Sequence, residues 1–182
     1  MEMDRVARPL ILCLSVALIA SAGLVARSAA LEEGFTAKVV HNSQPDRVLV
    51  RRGLEKTPTA PPSGKKWCAV HVEFTLTGKD ATVSMKKMRL LADGGQSFRA
   101  VAMAPPFDES FQFLSALPAQ PGAVGQLYTL GDDDMYIYQR KGGGQIFIRS
   151  AKPVLIKFLF EVPTAANPRA LELGEAMNLP LS

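Results

Sequence analysis

The stretch KKWCAVHVEF, residues 65–74, sets Cys68 and His71 three positions apart. Thiolate and imidazole are common zinc ligands, and a thiolate beside an imidazole is also a nucleophile with its base. The run itself reads as a β-strand, in which successive side chains point to opposite faces. An offset of three is odd, so one of the pair enters the core and the other leaves it. They cannot share a metal ion unless a bulge intervenes. A buried lone cysteine behaves as a small hydrophobe, and zinc needs three or four converging ligands. The second histidine, His41, falls in the connector HNSQPD, which reads as a turn. The pattern is therefore read as an ordinary strand.

Other reactive constellations are thinner. Asp132, Asp133 and Asp134 stand together in GDDDMY, and clustered carboxylates suit calcium. The stretch lacks the alternating ligand spacing of an EF-hand loop, and Asp and Gly are ordinary turn residues. No G-x-S-x-G motif is present. A catalytic histidine would have to be His41 or His71, with no partner in view. Met85, Met88, Met103, Met135 and Met177 are dispersed without interleaved histidines, which suits core filling rather than soft-metal handling. The expectation is a non-catalytic protein with no cofactor and no metal.

The elements that must carry these side chains begin after residue 30. Arg5 and Arg8 precede an apolar run from Leu10 to Ala26, and Ser28, Ala29 and Ala30 follow. That order is the n-region, h-region and cleavage site of a signal peptide, residues 1–30, which leaves Leu31 as the mature N-terminus. Cys13 sits near the start of the apolar run, where a lipoprotein cysteine would not be. The run is slightly short of the roughly 20 residues of a spanning helix, and Ser15, Ser21 and Gly23 weaken it, so membrane contact is expected only through an uncleaved leader. The protein is read as exported, periplasmic or extracellular. Residues 31–182 form one domain of natural size.

The whole chain carries a net charge of +4. Arg5, Arg8 and Arg27 against Glu2 and Asp4 account for one of those charges, so the mature domain is only mildly basic. The doublets Arg51-Arg52, Lys65-Lys66 and Lys86-Lys87 are scattered and read as solvated turns, and no nucleic-acid partner is expected. Cys68 alone survives processing, so no intramolecular disulfide supports the fold and apolar burial must do so.

Short apolar runs separated by turn residues fill the mature chain. FTAKVV and RVLVRR flank HNSQPD; GLEKTPTAPPSGKK reads as a loop, because proline does not suit a central strand. The longest strand runs from Trp67 to Thr77. MRLLADGGQSFRAVAM reads as two strands joined at Asp93-Gly94-Gly95. QLYTL, MYIYQR and QIFIRS follow, the last two joined by Gly142-Gly143-Gly144, then PVLIKFLFEVP and a short strand in ALEL. Cys68, Val70, Val72, Phe74 and Leu76 share one face of the first long strand, and Val154, Ile156, Phe158, Phe160 and Val162 one face of the last. These faces are the expected core.

Two surface possibilities remain. The segment 104–125, APPFDESFQFLSALPAQPGAVG, holds four prolines with Phe107, Phe111 and Phe113 between them, and ESFQFLSAL within it suits one or two helical turns. Loops this long are often functional. The phenylalanines either plug one end of the sandwich or form an apolar patch that binds a protein partner. Tyr136 and Tyr138 share a strand face and give an alternative, an aromatic platform for a carbohydrate or other small ligand.

KKWCAVHVEFTLTGKDATVSMKKMRLLADGGQSFRA together with VLIKFLFEVPTAANPRALEL resembles a group of exported bacterial immunoglobulin-like β-sandwich domains, uncharacterised in function, found in lipoproteins and secreted antigens. The shared pattern is the WCAVHVEFTLTG strand, the strand–turn–strand MRLLADGGQSF, and a late aromatic strand ending in EVP. The chain departs from it in the long 104–125 segment. The resemblance implies an all-β, immunoglobulin-like antiparallel sandwich of about seven to nine strands and implies no active site. The expected function is a non-catalytic binding module for an envelope or extracellular protein.

Overall fold

The computed structural model describes residues 34–105, 107–116, 127–129, 135–139, 144–174 and 177–181. Residues 1–30, read as a leader, Asp132–Asp134, read as an acidic turn, and Gly142-Gly143 lie outside them. No helix among the described residues is long and apolar enough to cross a membrane.

The first strands are β1 (Phe35–Ser43), β2 (Val48–Arg52), β3 (Glu55–Thr59), β4 (Lys65–Leu76) and β5 (Asp80–Ser84). Next come β6 (Met88–Ala92), β7 (Ser97–Phe98), β8 (Ala100–Ala104), β9 (Gln112–Phe113) and β10 (Leu127–Thr129). The last are β11 (Met135–Gln139), β12 (Gln145–Arg149), β13 (Val154–Pro163), β14 (Pro168–Leu173) and β15 (Met177–Pro180). They form a five-stranded sheet in the order β1-β4-β13-β8-β9, and two four-stranded sheets in the orders β10-β11-β12-β5 and β15-β14-β6-β7. Strands β2 and β3 make a separate hairpin. All pairings between these strands are antiparallel.

The main core lies between the five-stranded sheet and the two four-stranded ones, which makes the chain a β-sandwich. Strands β4 and β13 are neighbours at the centre, in register from Val154 opposite Phe74 to Pro163 opposite Lys65. Their alternating apolar residues, Cys68 to Phe74 and Val154 to Val162, are buried as their period of two requires. They meet Ala81 and Val83 of β5, Ile146 and Ile148 of β12, Met88 and Leu90 of β6, and Leu171 and Leu173 of β14. Each fully buried Val, Ile or Phe contributes roughly 1.5–3 kcal/mol before chain entropy is counted.

A second, smaller core covers part of the opposite face of the same sheet. Trp67 and Ala69 of β4 and Leu159 of β13 pack there against Val48 and Val50 of β2 and against Phe111. Trp67, which alternation alone would leave on a mixed face, is buried because the β2–β3 hairpin lies over it, and its indole N–H donates to the Thr59 carbonyl at 3.1 Å.

The structure differs from the sequence reading in five places. The segment read as a proline-rich loop contains β3, and Pro58 is tolerated because a two-stranded hairpin asks less of each backbone N–H than a central strand. The turn read at residues 41–46 begins later, since β1 continues through His41 to Ser43. Asp93–Gly95 do turn the chain from β6 into β7, with Gly94 and Gly95 at positive φ, but the returning strand then leaves its sheet, and β8 joins the five-stranded one. ESFQFLSAL forms the short strand β9 and a single 3-10 turn at Leu114–Ala116. Together with β5 and β15, for which the sequence reading has no strand, these changes raise the count to fifteen strands among the described residues, above the seven to nine expected.

Candidate functional site

Beyond the small core, the outward face of the five-stranded sheet turns polar. Alternation on β4 brings His71 and Glu73 to this face after Ala69, and β13 sets Lys157 directly opposite His71. Two groupings of side chains form there.

The first is centred on Asp108, which is buried with its side chain 7% exposed. Its Oδ1 accepts from the Ser110 amide at 2.9 Å, the Ser110 hydroxyl at 2.7 Å and the Lys56 ammonium at 2.9 Å. Oδ2 faces the Arg51 guanidinium at 2.7 Å. The Asp108 carbonyl in turn accepts from Lys157 at 3.3 Å. Burial alone would push this carboxyl upward; the Ser110 amide and hydroxyl, Lys56 and Arg51 outweigh it and hold the group at about 2. Backbone hydrogen bonds add to the clamp, because Phe111 N donates to Leu49 O at 2.7 Å and Arg51 N donates to Phe111 O at 2.8 Å. Residues Asp108 to Phe111 are thereby fastened to β2, β3 and β13 at once.

The second grouping is His41 and His71. They are Cα partners across β1 and β4, with ring centres 4.9 Å apart and planes at 62°. A register shift between Val39 and His41 makes this possible. Lys38 pairs with Glu73 and His41 with His71, so two β1 residues three apart reach the same face, which a regular strand forbids. Desolvation lowers the His71 imidazole below its ordinary range, and the charges of His41 and Lys157 act in the same direction. Cys68 lies on the other face of β4, in the core, as the odd offset requires, and burial pushes its thiol up to about 11. Among the described residues no three His, Cys, Asp or Glu side chains converge to hold a metal ion.

The three phenylalanines of the 104–125 segment are placed differently from one another. Phe111 is 5% exposed and part of the small core; Phe113 is half-buried, its ring centre 6.3 Å from that of Trp67. Phe107 is 59% exposed. The apolar patch imagined from three rings therefore reduces to Phe107, because the small core needs the other two. Leu54 is fully exposed at the tip of the β2–β3 hairpin. Strand β11 carries Tyr136 and Tyr138, whose register sets them opposite Ile148 and Ile146, two core residues of β12.

Sequence reasoning missed Asp108, Ser110, Arg51 and Lys56 as a unit. An Asp two residues before a Ser is a local signal, since such side chains bond the backbone two residues on. The Arg51-Arg52 doublet, which the sequence alone suggests is a solvated turn, lies in β2, and Arg51 is committed to Asp108. Nothing in the sequence linked positions 51, 56 and 108.

No protein-family model matches the chain, and no curated protein does. Among solved structures it is similar to the crystal structure of an uncharacterized β-sandwich protein from Clostridium difficile 630, with a TM-score of 0.45 and 10% identity over 84% of this chain and 89% of that chain. At that score the assignment of this chain as a β-sandwich rests on its own sheets.

Proposed function

We propose that the protein is a non-catalytic exported module, a β-sandwich of immunoglobulin-like type, that binds a protein partner in the cell envelope or outside the cell. The observation that carries this reading is Phe107, an aromatic ring held exposed on a segment whose next residue is clamped by Ser110, Lys56 and Arg51. Exposed aromatic anchors are the side chains that dominate protein interfaces. A pre-ordered segment also gives up little conformational entropy on binding. Leu54, on the hairpin to which the segment is fastened, supplies a second exposed apolar side chain. Export rests on the leader pattern of residues 1–30. The alternative reading, a carbohydrate- or small-ligand-binding surface at Tyr136 and Tyr138, rests on the sequence pattern alone.

The test is affinity capture from native envelope and culture-supernatant fractions, with the wild-type chain beside Phe107→Ser, the two matched for thermal unfolding. A partner retained by the wild type and lost by the variant supports the reading. Equal capture by both, or capture by neither, overturns it.

A further inference from the structure

Independently of any partner at Phe107, we infer that His41 and His71 form a two-histidine site for one late first-row divalent transition ion on the outward face of the five-stranded sheet. The strand geometry is specific. Val40, an apolar residue 43% exposed, is the extra residue of a bulge, and its insertion turns His41 to the face that His71 occupies. Bulges re-aim side chains in this way and are over-represented next to functional sites.

The spacing suits chelation. With the metal about 2.0–2.1 Å from each imidazole nitrogen, two rings that share an ion at a cis or tetrahedral angle have centres roughly 4.5–5 Å apart. The observed separation is 4.9 Å. His41 is exposed and His71 half-buried, so the ion can enter from solvent. Two nitrogen donors leave its remaining positions to water or to a donor brought by a ligand.

The surroundings set the strength and the choice of ion. Lys157 faces His71 from β13 and opposes a cation, although its ammonium is drawn to the Asp108 carbonyl. Glu73 lies two residues along β4 on the same face, neutralised by Lys38 at 2.7 Å. Such a site favours intermediate imidazole-seeking ions over hard oxygen-seeking ones. Copper(II) is expected to bind ahead of nickel(II) and zinc(II), and calcium and magnesium not at all.

The experiment titrates copper(II) into the full-length chain carrying Cys13→Ser, which removes the leader thiol, in a non-chelating buffer, and compares His41→Gln and His71→Gln in the same background. The expected result is one ion per chain, with electron paramagnetic resonance showing two imidazole nitrogens on the copper. Each variant should lose affinity by about tenfold or more and show at most one such nitrogen. Thermal unfolding in the presence of a chelator checks that each variant is folded. If a variant unfolds, the nitrogen count on the wild-type histidine pair and the other variant decide. Binding unchanged in a folded variant, a copper spectrum without two imidazole nitrogens, or no saturable binding overturns the assignment.

Discussion

Replacing Asp108 by asparagine keeps the size of the side chain and removes the charge that Arg51 and Lys56 share. The carboxyl sits at about 2 in the folded protein against an ordinary value of 3.8. A depression of that size corresponds to roughly 2–3 kcal/mol of stability at neutral pH. Losing one partner of a buried ionic group can cost about 3–5 kcal/mol, which sets the upper bound. Because the folded value lies below the unfolded one, the contribution is complete above about pH 4 and fades as pH falls through about 2. The assay is urea unfolding of wild type and Asp108→Asn across this range, followed by Trp67 fluorescence. The variant should be about 2–3 kcal/mol less stable at pH 7, with the gap closing in acid. Other carboxylates titrate in both proteins and cancel in the difference. A gap below about 0.5 kcal/mol at pH 7, which is the size of an ordinary surface substitution, would refute the clamp. So would a full-sized gap that persists at about pH 2.

The two kinds of phenylalanine should separate in the same assay. Phe111→Ala empties the small core and is expected to cost about 3–5 kcal/mol, whereas Phe107→Ser should stay within about 1 kcal/mol of wild type; equal losses would contradict the burial described above. The Cys68 thiol, buried and raised to about 11, should resist a thiol-specific disulfide reagent at pH 8 until the domain unfolds. Rapid modification of native Cys13→Ser protein would show that β4 opens locally.

The sandwich was legible because its signal is periodic. In β4 and β13, apolar residues alternate over nine or more positions, and no other element type buries a period of two on one face. The opposite placement of Cys68 and His71 followed from the same parity. The hairpin under Pro58 was harder to read, since the residue that excludes a central strand is harmless in a two-stranded one. Phe111 could be sorted from Phe107 only by knowing that Trp67 needed a cover.

By itself the sequence determined the all-β character, the core faces of the two longest strands and the parity that separates Cys68 from His71. These are local properties, written in residues one to a few positions apart. Tertiary structure alone decided which polar residues meet. Asp108 finds Arg51 and Lys56 more than fifty positions away, and His41 finds His71 only because one extra residue bulges β1. Such meetings depend on strand order and register. A single residue inserted in a strand sends every later side chain to the other face, and composition carries no trace of that change.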